Sequence, residues 1–197
     1  MNTKAVAVAI AFTALATVLN YIKIPVPYLP YFSYQMGDVV LIVALLLFGL
    51  KPALLIATLN MLMTIVLYQN PAGPIGPPYY LISVIAMFLG IYSAIEFVKR
   101  RQMSKNVYVA KSVGFSTTLG AVSRTLIMLP LDYFVYGFLV SVVSGLSIAA
   151  SYNMVLAMMP AMIIYNITVP IIMVPLSYLI AKRLVKYGSL VSNSPLI

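Results

Sequence analysis

Six apolar stretches, separated by short gaps, occupy most of the 197 residues of this chain, and the basic residues collect in every second gap. About 20 apolar residues in a helix cross a bilayer hydrocarbon core of roughly 30 Å. The stretches at 4–21, 37–50, 52–68, 79–97, 107–129 and 154–181 meet or approach that length. They predict an all-α, polytopic membrane protein, a bundle of six transmembrane helices. The second stretch is the shortest, and it reaches span length only by borrowing residues 34–36 or by crossing a thinned region. Residues are 63% hydrophobic and 8% charged, against roughly 25% charged in soluble domains. Residues 1–197 therefore read as a single transmembrane domain in the cell membrane.

The net charge of +9 would point to nucleic acid in a soluble protein, but its placement has a simpler cause. Cytoplasmic loops of membrane proteins retain Lys and Arg. Lys4 precedes the first stretch, Lys51 separates the second from the third, Lys99, Arg100, Arg101 and Lys105 separate the fourth from the fifth, and Lys182, Arg183 and Lys186 follow the sixth. With six spans all of these lie on one side, so both termini are expected in the cytoplasm. The bilayer, and no nucleic acid, is the expected partner of the charge. The opposite gaps hold only Lys23 and Asp132, with Asp38 at the rim of the second stretch.

Two alternatives compete with this topology. Residues 133–152 are uncharged and of span length, but a seventh span would carry the last basic cluster outside. Gly137, Ser141, Ser144, Gly145 and Ser147 mark the segment instead as an apolar outer connection lying over the bundle. The N-terminus, with Lys4 and Ala14-Leu15-Ala16, loosely imitates a signal peptide. Its apolar run continues past that site to Ile22, a better length for a retained helix.

Absences narrow the chemistry. The chain has no His and no Cys, and its carboxylates are Asp38, Glu96 and Asp132. Neither a metal site nor a His-based nucleophile is expected from that set, the P-loop pattern is missing, and no enzymatic activity or cofactor is expected.

The first stretch is striped with alanine, and Ala5, Ala9 and Thr13 are spaced by four. Small residues at that spacing let another helix approach closely, either a neighbour in the same bundle or a second membrane subunit. The gap after it carries Pro25, Pro27 and Pro30 with Tyr28, Tyr31, Phe32 and Tyr34, and it cannot be helical throughout. The next outer gap is again rich in Pro and Gly, holds Asn70, and is flanked by Tyr68, Tyr79 and Tyr80. Tyrosines here form either an interfacial belt or the cover of a pocket for a flat ligand. Arg124 lies about 25 Å along the fifth helix from Val107, toward the outside. Facing lipid would cost it at least ~2.5 kcal/mol. Asp132 and Asp38 are at the same level, as ion-pair partners or as ligand contacts. Asn166 sits near mid-membrane between Pro160 and Pro170, and Asn60 at similar depth reads as interhelical glue or a ligand contact.

The alanine-striped first helix, the Pro/aromatic first loop, Gly37-Asp38-Val39-Val40 leading through Leu47-Phe48-Gly49-Leu50-Lys51-Pro52-Ala53, and the basic Lys99-Arg100-Arg101 loop together resemble the S components of energy-coupling factor (ECF) vitamin transporters. The resemblance spans nearly the whole chain. It implies six helices and an outward-facing vitamin pocket closed by the first loop. It also implies that the first-helix alanines, Ala5 and Ala9 with Thr13, dock a transmembrane T subunit that carries two ATPases. Leu131-Asp132-Tyr133-Phe134 and Ile164-Tyr165-Asn166 look most like the riboflavin-specific branch. The substrate-binding set this implies is Tyr31, Tyr34, Asp38, Tyr68, Asn70, Arg124, Asp132, Tyr133 and Asn166. Riboflavin members typically have Asn at the position of Asp132 and Lys at that of Val169, so a rebuilt polar floor is implied. The competing functions are an S component for another vitamin, a structural or assembly subunit that binds no small molecule, and a stand-alone facilitator.

Overall fold

The structure is a computed structural model that describes residues 3–67, 75–100 and 105–187. Helix α1 (Thr3–Leu19) leads into a two-stranded antiparallel hairpin, β1 (Lys23–Val26) and β2 (Leu29–Gln35). The strands pair Lys23 with Gln35 and Ile24 with Tyr34, and the register shifts between Pro25 and Val26. Pro25 has no N–H to donate, which suits it to a short strand with a free edge. The first loop is thus an ordered ribbon.

Helix α2 (Gly37–Phe48) follows the hairpin directly. Residues 34 and 35, which a span of full length would have borrowed, belong to β2. Twelve residues reach only about 18 Å, and Gly37 to Leu47 are all buried. A helix apolar on every side belongs in a core, and α2 is the centre of this one. Gly49, at φ 85°, ends it, because a left-handed backbone there is cheap only for glycine. Helix α3 (Leu50–Leu67) then starts at once and returns alongside α1 and α2.

Helix α4 (Gly76–Lys99) packs along α5 (Lys105–Leu131). A Cβ on Gly90 would lie 2.1 Å from the Leu119 carbonyl oxygen, so the two backbones touch where no side chain fits. Ser123 Oγ donates across the same contact to the Ala86 carbonyl, 2.6 Å away. Within α5, Pro130 removes the N–H that would close the helical bond to residue 126. A π-helical turn follows at Asp132–Tyr136 before the helix resumes as α6 (Gly137–Ser144).

Here the expected outer connection at 133–152 is corrected. The segment is helical except for Gly145, Leu146 and Ser147. Gly145 takes the left-handed conformation (φ 67°) and its N–H bonds to the Ser141 carbonyl at 3.1 Å, a helix stop. Ser147 Oγ accepts from the Ala150 N–H at 3.3 Å, a helix start. The glycine and serines that read as loop are the two caps of a tight turn, and the 40-residue α7 (Ile148–Tyr187) begins immediately. No draped loop runs there: the segment is two helix ends joined by a three-residue turn. Four helical stretches among the described residues, Leu50–Leu67, Gly76–Lys99, Ala110–Val142 and Ile148–Lys186, are long and apolar enough to cross a membrane, and Val6–Leu19 and Gly37–Phe48 are shorter apolar helices. This is a helical membrane protein.

Candidate functional site

Three helices bring their polar residues to one buried point. Arg124 of α5, Asp132 of the π-helical turn and Asn166, close to the middle of α7, are each at most 2% exposed. Arg124 Nε donates to Asn166 Oδ1 at 3.2 Å, and Asn166 Nδ2 donates to Asp132 Oδ2 at 3.0 Å. The amide thus relays between a cation and a carboxylate that do not touch. Among the described residues the ion pair is Lys99 with Glu96 on the surface, so Arg124 pairs directly with neither Asp132 nor Asp38. Its guanidinium lies 5.8 Å from the centre of the Tyr165 ring, and its Nη1 is buried without a hydrogen-bond partner.

The carboxylates are held from α4. Tyr79 donates its hydroxyl to Asp132 Oδ1, and Tyr80 donates to Asp38 Oδ1. Asp38 stands in the first turn of α2 and is 2% exposed, so one pair of consecutive tyrosines ties the acids of α2 and the π-helical turn together. Polar groups sequestered from water persist when they are hydrogen-bonded. This set satisfies itself except at Arg124 Nη1.

The hairpin forms the roof. Tyr165 donates to the Ser33 carbonyl at 3.0 Å, and the Tyr34 hydroxyl meets Thr168 Oγ1 at 2.9 Å. Phe32 lies against both Tyr165 and Tyr136, at 5.1 and 5.4 Å between ring centres. The hairpin therefore rests on α7 and the π-helical turn through aromatic rings, directly over the polar chain.

Of the nine residues expected to contact a ligand, Asp38, Arg124, Asp132 and Asn166 converge, and Tyr34 lies in the roof. Tyr133 is turned toward Phe134 and Tyr152, with ring centres at 5.1 Å from each, outside the hydrogen-bonded set. Tyr68 and Asn70 lie outside the described residues, as does the side chain of Tyr31. Tyr79, Tyr80 and Tyr165, which the sequence reading did not assign to the site, supply its hydroxyls. Asn60 belongs elsewhere: it accepts from Asn20 Nδ2 at 3.0 Å and donates to Thr17 Oγ1 at 2.9 Å, joining α3 to α1. Among the described residues no three metal-ligating side chains come together.

On α1, Ala9 and Thr13 are 6% and 7% exposed, turned toward α2 and α3. The side chain of Ala5 lies outside the described residues. The outward face instead carries Ala7, Ala11 and Ala14 among Ile10, Leu15 and Val18.

No family model matches this sequence, and neither does any curated protein. Among solved structures, the S component of a bacterial ECF transporter aligns with 96% of this chain and 99% of its own, at 22% identity and a TM-score of 0.65. The fold is that of an S component.

Proposed function

We propose that the chain is the substrate-capturing subunit of an ATP-driven ECF-type vitamin uptake transporter. In this reading it spans the cell membrane six times with both termini in the cytoplasm. It has no ATPase or other enzymatic activity of its own, and it relies on a T subunit with two ATPases. The ligand is riboflavin or a related flavin, taken from the outside. The carrying observation is the unpartnered, buried Nη1 of Arg124, whose Nε is linked to the Asp132 carboxylate through the Asn166 amide. A guanidinium offers only donors and an ionised carboxylate only acceptors. A flavin's imide edge, carbonyl next to N–H next to carbonyl, complements that pair, and the rings of Phe32, Tyr34 and Tyr165 are suited to covering its flat face.

Titration of riboflavin, followed by quenching of its fluorescence, tests the reading. Loss of one buried partner costs about 1–3 kcal/mol, so Asn166→Ala and Asp132→Ala should each weaken binding roughly tenfold or more. Asn60→Ala, in the α1–α3 contact, should do less. Unchanged affinity in both variants rejects this site. No binding by the unmodified protein rejects a flavin as the ligand, and no binding of any vitamin favours the structural-subunit alternative.

A further inference from the structure

The seam between α4 and α5 ends in a pair of cations. Phe97 of α4 and Phe115 of α5 are exposed and in contact, with 5.8 Å between ring centres. The two helices run antiparallel, since Gly90 meets Leu119 and Ala86 meets Ser123. Arg100 follows Phe97 by three residues and Lys111 precedes Phe115 by four. Those spacings keep a side chain on the same helix face, one turn away, and Arg100 still has helical angles (φ −65°, ψ −13°). Both cations are exposed, and the antiparallel pairing places them together, one turn past the two rings.

No acidic side chain is left to neutralise them. The chain has three: Asp38 and Asp132 are buried with Tyr80 and Tyr79, and Glu96 holds Lys99 at 3.2 Å. Back along the seam from the cations, the surface is apolar. Leu89 on α4 and Val122 on α5 continue the exposed faces that carry Phe97 and Phe115. Ser93 and Thr118, exposed on the same faces, turn their hydroxyls back to the Leu89 and Gly114 carbonyls, at 2.7 and 3.0 Å. A Cβ on Gly114 would meet nothing within 4 Å, so the surface beside Phe115 is open. From Lys111 to Val122 the face runs about 16 Å, close to half of a hydrocarbon core of roughly 30 Å. A cationic end on an apolar strip one leaflet deep matches a phospholipid, which joins an anion to acyl chains of that length. A soluble anion makes no use of the strip.

We infer that the α4–α5 seam binds an anionic phospholipid, its phosphate held by Arg100 and Lys111 and an acyl chain laid past Phe97 and Phe115. A guanidinium and an ammonium are donors only, which suits the acceptor oxygens of a phosphodiester. The bias of basic residues toward one side of a membrane requires their number, not their meeting at one seam. Arg183 supplies the comparison. It is exposed on α7, five residues past Tyr178, whose hydroxyl meets Ser116 of α5 at 3.1 Å. Lys111 is five residues from Ser116 toward the same end, so the two cations share a level but not a seam.

Native mass spectrometry of the purified protein tests this, in detergent micelles containing either dioleoyl phosphatidylglycerol or dioleoyl phosphatidylcholine. The unmodified protein should retain phosphatidylglycerol in preference. Arg100→Gln and Lys111→Gln should each weaken its binding roughly fivefold and leave phosphatidylcholine binding, and the melting temperature in phosphatidylcholine micelles, little changed. Arg183→Gln should change neither lipid. Equal retention of both lipids by the unmodified protein overturns the site and leaves the cations to an acidic partner surface. An effect of Arg183→Gln as large as that of Lys111→Gln also overturns it, as general attraction to charge. Displacement of phosphatidylglycerol by glycerol 3-phosphate, which has the anion without the acyl chains, would reassign the pair to a soluble phosphate.

Discussion

At the scale of single residues, glycines test the packing most sharply. Gly90 meets the Leu119 backbone with no room for a Cβ, whereas a Cβ on Gly114 would meet nothing within 4 Å. In a helix, Ala in place of Gly gains up to about 1 kcal/mol, and overpacking typically costs about 1–3 kcal/mol. Gly114→Ala should therefore leave the melting temperature in detergent unchanged or raised. Gly90→Ala should lower it, because the obstructing atom is backbone and cannot rotate away; equal melting temperatures would mean that α4 and α5 are not in the contact described. The same scale explains what was legible of the site. Arg124, Asp132 and Asn166 stand out because ionisable and amide groups inside apolar helices need partners. Tyr79, Tyr80 and Tyr165 do not stand out, because a tyrosine near a helix end is ordinary at a membrane interface. Only the coordinates distinguish a hydroxyl bonded to a buried carboxylate from one turned to the headgroups.

At the scale of elements, α1 carries the partner prediction. Its alanines cover more than one face, so spacing alone could not choose between Ala5, Ala9 and Thr13 and their neighbours. With Ala9 and Thr13 buried and Ala7, Ala11 and Ala14 exposed, the small-residue surface left open on α1 is the second set, and the proposed T subunit is predicted to dock there. Ala11→Trp should abolish co-purification with a T subunit while leaving ligand affinity nearly unchanged, since close helix approach depends on small side chains. Ala9→Trp should instead reduce folded yield, by pushing α1 off α2 and α3. Loss of ligand binding in Ala11→Trp would assign that face to the bundle's own packing. The α6–α7 turn teaches a similar lesson. Gly145 and Ser147 are punctuation, and whether punctuation bounds a long loop or a three-residue turn depends on whether the flanking apolar residues find a packing partner. Here Tyr152 packs over Gly137, where a Cβ would come within 2.8 Å of its ring. Tyr152 also donates to the Phe134 carbonyl at 3.3 Å, which keeps both arms helical.

At the scale of the whole molecule, the prediction concerns sidedness. The native chain has no cysteine, so single introduced thiols report without background. Cysteines replacing Arg100 and Lys186 should resist an impermeant thiol reagent in intact cells, whereas one replacing Ser147, exposed at the α6–α7 turn, should react. Labelling at Lys186 but not at Arg100 would mean an odd number of crossings between them and would reject the six-span topology.

The sequence by itself determined the membrane class, the helical composition, the gathering of basic residues in every second gap and the identity of the three polar residues that most needed partners. Each of these depends on a free energy of transfer or on a charge count, which a residue carries wherever it is placed. Tertiary structure decided that α2 is a short buried core helix, that the first loop is a hairpin roof, that residues 133–152 are two helix ends, and which alanines face outward. Those outcomes turn on which apolar surface meets which, and among uniformly apolar segments pattern carries little information about partner choice.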